Sequence, residues 1–550
     1  MMISANIFKT IALMKLASVA ALPQVVVQQG TYQGKYVAGY DQDLFLGIPY
    51  AQPPVGDLRF QNPQPLNATF DGVQNATEYA DSCVGYGNSA AWPFTLGEDC
   101  LTLNVVRPSG SLGNGLLPVG VFIHGGGWTM DYSANGVYNM SWMVSQSVKM
   151  NKPIIGVSLD YRLSAWGFLG SQEALDAGIG NMGLKDQRVA LRYIKDNIKA
   201  FGGDPKKITI FGESAGGGSV GFQALAYDGQ DESLYRGIIS QSGADGSAMK
   251  SLETRNAAYH NLTIATGCDE AADTLACLRE APFEVLNSAI VNNTSGGFGP
   301  MVDGEFLTDY PSVLLQDGKF TRTPMLAGTN SDEGTLFGGS TIDTEEELAA
   351  SLVNAGFDNE AVKIMLALYP DIDALTLPAG YQTPLDGSVG RQFKRYVTIQ
   401  TDNGFLSWRR RRSDAYYEYD MPFYSYHFDG PISARETSPP LGSSHFAEVA
   451  YVFYNLEGQG YAENAGIFPT SNQDLNDLAN LMSRMWVSFI NDLNPNNHGI
   501  VGVKEWPLYN NTGGFGQNFL FVPGNSHAEP DTFRLAGTTY INTISKQLGR

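Results

Sequence analysis

The stretch Ile208-Thr209-Ile210-Phe211-Gly212-Glu213-Ser214-Ala215-Gly216-Gly217 narrows the folds open to this chain more than any other. Four β-prone apolar residues run into a serine set between glycines, and small residues with a helical pattern follow. This is the context of a strand–turn–helix elbow, which presents a serine hydroxyl at the start of a helix. Such a turn is so tight that a side chain two residues before or after the serine would clash. The helix N-terminus and its free N–H groups favour negative charge at that point. The bare Gly-x-Ser-x-Gly pattern is not specific, because it recurs at Gly217-Gly218-Ser219-Val220-Gly221. No strand-like run precedes that copy. Ser219 is therefore expected inside the helix and Ser214 at its tip.

The 550 residues are 43% hydrophobic, enough for a large buried core, and no linker, repeat or low-complexity tract divides them. We expect one large domain over residues 21–550, with long insertions. Residues 1–20 read as a secretory signal: Lys9 supplies positive charge, Ile11 to Ala21 is mostly apolar, and Ser18-Val19-Ala20 suits cleavage. An even set of four cysteines and seven sequons, at Asn67, Asn75, Asn139, Asn261, Asn292, Asn293 and Asn510, fit the same extracellular destination. Of the three pairings open to four cysteines, Cys83–Cys100 and Cys268–Cys277 are expected, because each closes a short polar loop. A net charge of −21 and a pI of about 4.7 argue against nucleic acid and anionic membrane as partners. No later segment is apolar enough to span a bilayer. The basic block Arg409-Arg410-Arg411-Arg412 is expected to be a solvated helix face paired to acids.

Two segments follow the signal. Phe45 to Phe60, rich in proline and glycine, reads as a rigid surface loop, and Gly97-Glu98-Asp99-Cys100-Leu101-Thr102-Leu103-Asn104-Val105 comes after it. Together they resemble the opening and disulfide signatures of the type-B carboxylesterase/lipase family, which includes the cholinesterases and several fungal lipases. The likeness continues over nearly the whole mature chain. It implies an α/β-hydrolase fold, a mostly parallel central sheet with helices on both faces, and a structural ion pair at Arg59 and Glu98. The alternation of strand and helix patterns independently implies parallel crossovers.

Val119 to Ile123 reads as a buried strand ending in His124-Gly125-Gly126-Gly127-Trp128. Three consecutive glycines let backbone N–H groups approach a ligand closely. Their physical job is an oxyanion hole, a set of donors aimed at charge that develops during acyl transfer. The resemblance assigns the donors to Gly126, Gly127 and Ala215. His124 reads as a support for the loop.

A serine hydroxyl needs a base, and the base needs an acid to orient it. In this fold the chain order is serine, acid, histidine. His124 precedes Ser214, and His260 follows too closely to leave room for an acid-bearing strand. Met325 to Gly328 reads as a strand end leading into Thr329-Asn330-Ser331-Asp332-Glu333-Gly334. Acids on such loops stand at the carboxyl edge of a parallel sheet. Asp332 and Glu333 compete on chemistry, and the resemblance matches Glu333. Of the later histidines, His427 lies in a strand-like run, while His498 and His527 sit in polar turns. His445, in Gly442-Ser443-Ser444-His445-Phe446, matches the family's histidine loop. Ser242 is either a hydrogen-bond donor near the triad or a structural serine.

The expected activity is hydrolysis of a small-molecule carboxylic ester by Ser214, His445 and Glu333 through an acyl-enzyme, without metal or cofactor. In the family it resembles, the loop closed by the first disulfide can form a lid or a wall of the gorge, and the short span from Cys83 to Cys100 here implies short- or medium-chain esters, with Trp92 and Trp128 at the pocket mouth. A triacylglycerol lipase of the same family is the alternative. A non-catalytic binding or adhesion protein on the same fold is the alternative of a different class. The family's cation-binding tryptophan has no clear match in the shortened loop, which weakens a cholinesterase reading.

Overall fold

The computed structural model describes residues 22–87, 95–111, 115–293, 297–339, 341–372, 387–431, 441–461 and 472–550. The expected signal segment and Trp92 lie outside the described residues. An eleven-stranded sheet organises the chain. In chain order its strands are β1 (Lys35–Val37), β2 (Gln42–Pro49), β3 (Thr102–Pro108), β4 (Leu117–Ile123), β5 (Ile155–Leu159), β6 (Gly203–Glu213), β7 (Gly237–Gln241), β8 (Met325–Asn330), β9 (Phe423–Phe428), β10 (Gln517–Phe521) and β11 (His527–Pro530). Their order across the sheet is β11-β10-β9-β8-β7-β6-β4-β5-β3-β2-β1. The strands from β5 to β10 pair in parallel, and the strands outside them pair antiparallel.

The central strands show why both faces must be covered. In β4, Val119, Val121 and Ile123 enter one hydrophobic cluster, while Phe122 enters the cluster on the opposite face. In β6, Ile208 and Ile210 go one way and Phe211 the other. This is the period of two of a pleated strand, buried on both sides. On the first face lie α2 (Met182–Asn197), through Leu191 and Ile194, and α3 (Ala215–Gly229), through Val220. On the second lie α1 (Met140–Lys149), through Met143 and Val144, and α5 (Gln473–Asp492), through Met482, Trp486 and Phe489. Asn472 caps α5 by accepting the Leu475 N–H, and Pro495 follows its end. Truncating the fully buried Trp486 to alanine should cost about 3–5 kcal/mol. Among the described residues no helix is long and apolar enough to cross a membrane.

The structure departs from the sequence reading in two places. Phe45 to Pro49 is not loop but the buried end of β2, paired with β3. A register shift between Phe45 and Ile48 absorbs Gly47, and Pro49 sits at the strand's end, where it is tolerated. The arginine block is not solvated either. It lies on α4 (Ser407–Glu418), packed between the sheet and the C-terminal segment. Arg409 and Arg410 share Asp531, Arg412 pairs with Asp245, and Arg411 donates to the carbonyls of Ser312 and Asn542. The acids come from distant parts of the chain, so a polar helix was buried without leaving a local apolar stripe.

Cys83 is bonded to Cys100, 17 positions on, and Cys268 to Cys277, 9 positions on. Arg59 grips Glu98 with two parallel hydrogen bonds of 2.6 and 2.7 Å, and its Nη1 donates to the carbonyl of Arg279 at 2.9 Å. The pair thereby ties the first disulfide loop to the helix that carries Cys277.

Candidate active site

At the end of β6 the chain turns sharply into α3. Ser214 sits at the bend with φ 57° and ψ −122°, a conformation that costs a non-glycine residue roughly 1–3 kcal/mol. Its neighbours explain the two flanking glycines. A Cβ on Gly212 would lie 2.5 Å from the carbonyl carbon of Gly216, and one on Gly216 would lie 2.0 Å from the carbonyl oxygen of Ile123. The elbow packs directly against the end of β4, and only hydrogen atoms fit between them.

The glycine loop leaves β4 on the same edge. Gly126 has φ +84°, and a Cβ there would meet the Met130 carbonyl oxygen at 2.2 Å. The Gly126 carbonyl is held by the N–H groups of Thr129 and Met130 and by the Thr129 hydroxyl. A Cβ built on Gly125 would stand 3.1 Å from Cβ of Ser214, so this loop lies against the serine. None of the N–H groups of Gly126, Gly127 and Ala215 donates to another described residue. His124 is fully buried, stacks on Tyr161 at 4.5 Å and stays beside Asp160.

His445 and Glu333 meet from loops 112 positions apart, with Nδ1 2.5 Å from Oε2. Glu333 stands three residues beyond the end of β8, at the start of a short 3-10 turn, and is fully buried. Its other oxygen accepts the Ser242 hydroxyl at 2.6 Å and the Asn330 N–H at 2.7 Å, which makes Ser242 a donor to the acid. Asp332 points elsewhere and accepts the Ser443 N–H. Burial raises Asp332 to about 7. The imidazole lies against Phe405 at 4.8 Å and Phe337 at 5.0 Å. Its Nε2 has no hydrogen-bond partner among the described residues and lies 3.3 Å from Oε1 of Glu213, the residue next to Ser214.

Sequence reasoning missed the acids around this histidine. Burial, followed by the charges of Glu448 and Glu333, holds Glu213 well above the ordinary carboxylate range. Glu448 is raised by burial and by Glu333, against the hydrogen bonds it accepts from Asn330 at 2.6 Å and Gln241 at 3.1 Å. Trp486 Nε1 holds the other end of Gln241 at 3.0 Å. The available signal was the spacing His445-x-x-Glu448, one turn apart, followed by a buried apolar run.

A second Ser–His–Glu chain exists. Ser331 and His427 Nε2 are 2.7 Å apart, and His427 Nδ1 is 3.2 Å from Glu529. Ser331 is buried between the end of β8 and a short 3-10 turn, starts no α-helix and does not share the positive φ of Ser214, so it lacks the elbow beneath Ser214. Trp128 is not at a pocket mouth. It is 8% exposed, packs on Phe222, and donates its indole N–H to Ser219, since the turn at Gly126 and Gly127 folds it inward. Phe298 is buried in the main core. Among the described residues no group of three or more His, Cys, Asp or Glu is arranged to hold a metal ion.

Comparison with known proteins covers nearly the whole chain. Residues 21–518 match the model of the carboxylesterase family. Lipase 4 of Diutina rugosa is 32% identical over 95% of this chain and 96% of its own length. Secreted lipase 1 of Botryotinia fuckeliana is 34% identical over 90% of this chain and 88% of its own. The crystal structure of Aspergillus niger EstA superposes with a TM-score of 0.83 at 27% identity, covering 96% of this chain and 99% of that one.

Proposed function

The chain belongs to the carboxylesterase family and has the α/β-hydrolase fold, and from that premise we propose a secreted serine ester hydrolase working through Ser214, His445 and Glu333. One observation supports the reading: the buried His445–Glu333 pair reaches the nucleophile's neighbour, and the glycine loop against that serine and the first residue of α3 carry three N–H groups with no acceptor among the described residues. The acidic partner fixes Nδ1 as the protonated nitrogen and leaves Nε2 to accept a proton. The contact between Nε2 and the Ser214 hydroxyl is the link completed when substrate binds.

In the proposed cycle Nε2 takes the hydroxyl proton as the Ser214 oxygen attacks the ester carbonyl. The N–H groups of Gly126, Gly127 and Ala215 hold the oxyanion. The tetrahedral intermediate collapses, His445 protonates the departing alcohol, and the acyl group stays on Ser214. Water then attacks the acyl-enzyme with His445 again as base, releasing the acid and restoring the hydroxyl. Residues 1–20 are a signal peptide in this reading and 21–550 one catalytic domain. Two disulfides and a relative named as a secreted lipase support export.

The preferred substrates are short- or medium-chain esters, because the Cys83–Cys100 loop is too short to cover much apolar surface. Phe337 beside His445, 51% exposed, and its half-exposed neighbour Leu336 supply an apolar wall. That wall and the lipases among the relatives favour triacylglycerol hydrolysis as the second reading. Organophosphate labelling followed by peptide mapping tests the nucleophile, and an adduct anywhere but Ser214 rejects it. Rates on p-nitrophenyl esters of rising chain length, with tributyrin carried past its solubility limit, separate the substrates. A sharp jump at that limit selects the lipase.

A further inference from the structure

The second Gly-x-Ser-x-Gly sequence, Gly217 to Gly221, has no part in the cycle above, yet its serine is not idle. Ser219 is fully buried in α3, five positions beyond Ser214. Its hydroxyl oxygen accepts Nε1–H of Trp128 at 3.1 Å and Nε2–H of Gln187 at 3.0 Å. Trp128 directly follows Gly126 and Gly127 and itself holds φ +56°, which few side chains adopt. Its carbonyl accepts the Ser164 N–H at 2.7 Å. Gly218 admits the ring: a Cβ there would lie 3.0 Å from Cζ2 of Trp128. The glycine loop therefore ends in a ring whose N–H is fixed to the helix that begins with Ala215.

This matters because an oxyanion hole is built from two separate pieces of chain. Two donors come from the loop after β4 and one from the first N–H of α3. Donors must lie about 2.7–3.1 Å from the developing oxyanion, and a misplacement of about 1 Å costs on the order of 10² in rate. The β4–β6 ladder fixes where the loop starts. The Tyr161 hydroxyl and the N–H groups of Thr129 and Met130 hold the carbonyls of His124 to Gly126, and beyond Gly127 the Trp128 indole ties the loop to α3 itself.

We propose that Trp128 and Ser219 form a brace, a pair of positioning residues that holds the Gly126 and Gly127 N–H groups in register with the Ala215 N–H. The proposal rests on the hydrolase reading above. Neither side chain touches the substrate. The brace acts on the transition state, where the oxyanion is fully charged, more than on the bound ester. Its removal should therefore lower kcat and leave KM nearly unchanged.

The test compares Trp128→Phe, Ser219→Ala and the double variant with the wild-type enzyme, each normalised to organophosphate-titratable sites so that only folded enzyme is counted. Each single change should lower kcat about 10–100-fold with KM within about threefold. Binding of a trifluoromethyl ketone, which forms a tetrahedral adduct, should weaken by the same factor as kcat/KM. The double variant should lose no more than the worse single, because one bond is removed in all three. Ser219→Thr, which keeps the acceptor, should restore most of the rate. If Trp128→Phe does not fold, the smaller Ser219→Ala change still decides. A kcat per titrated site within twofold of wild type, or losses that multiply, would overturn the brace while leaving the hydrolase intact. A wild-type enzyme with no titratable Ser214 would overturn the brace together with the reading beneath it.

Discussion

Oε1 of Glu213 stands 3.3 Å from Nε2 of His445, while Oε2 of Glu333 stands 2.5 Å from Nδ1 of the same ring. The two acids are not equivalent. Glu333 has three donors around it, counting the imidazole, whereas neither oxygen of Glu213 takes part in a hydrogen bond among the described residues. Burial and the charges of Glu448 and Glu333 hold Glu213 well above the ordinary carboxylate range, and the proposed cycle assigns the charge that orients the imidazole to Glu333.

Replacing Glu333 with glutamine keeps the shape and removes that charge. Nδ1 then loses the acceptor that fixes its proton, and Nε2 is no longer reserved for Ser214. Steady-state kinetics on p-nitrophenyl butyrate should show kcat falling roughly 10³–10⁴-fold with little change in KM. Ser214→Ala should fall by about 10⁶. A Glu333→Gln enzyme within tenfold of wild type would assign the orienting role to another acid.

Glu448 makes a different claim on the site. It touches neither Ser214 nor the substrate in the proposed cycle, but it takes N–H groups from both Gln241 and Asn330, and Asn330 also holds Glu333. Glutamine at position 448 would set an NH₂ group against one of those donors. The expected result is a loss of about 1–3 kcal/mol in urea unfolding, the cost of a buried group left unsatisfied, and a drop in kcat of about tenfold through the shared Asn330. Unchanged stability would mean that the amide at position 448 leaves neither donor unsatisfied.

What could be read from the sequence followed the range of the interactions. The elbow, the glycine loop and the strand–helix alternation are local patterns, and Gly212, Gly216 and Ser214 stand where the tight turn needs them. His445 and Glu333, which the structure pairs, were chosen by chain order and resemblance, since nothing local marks a loop histidine or chooses Glu333 over Asp332. The misread features all depend on distant partners. The arginines of α4 look solvated until Asp245 and Asp531 arrive from elsewhere in the chain. Trp128 looks like a pocket residue until Ser219, 91 positions on, accepts a hydrogen bond from its indole N–H.

The Arg412–Asp245 pair joins α4 to the chain just beyond β7, and both residues are almost fully buried. Arg412 also donates to Ser240, whose hydroxyl bonds the Gly217 carbonyl of the nucleophile helix. Arg412→Met leaves Asp245 buried without its partner and should cost about 3–5 kcal/mol. Adding Asp245→Leu should recover part of that loss, because the charge left behind, not the missing attraction, carries most of the penalty. Urea midpoints of the single and double variants decide it, and a double variant weaker than the single would show that the pair itself is the source of stability.

Asp332 sets a pH dependence of stability with a definite sign. Burial lifts its folded-state value from 3.8 to about 7, against the Ser443 N–H and the Arg534 charge that pull it down. Between those two values the unfolded chain has released this proton and the folded chain has kept it. Proton release then favours unfolding, so this residue's contribution falls as pH rises from about 4 to 7 and levels off above. Three units correspond to about 4 kcal/mol at most. Glu213 and Glu448, also raised, act in the same direction. Asp531, held below its ordinary value by Arg409 and Arg410 despite its burial, acts in the opposite direction and loses its contribution as pH falls below the ordinary carboxylate range. Asp332→Asn keeps an acceptor for Ser443 and removes the titration. Urea unfolding from pH 4 to 8 should give a shallower decline for Asp332→Asn than for the wild type, with the two curves diverging most near neutrality. Parallel curves over that range would mean that Asp332 ionises in the folded protein as readily as in the unfolded one.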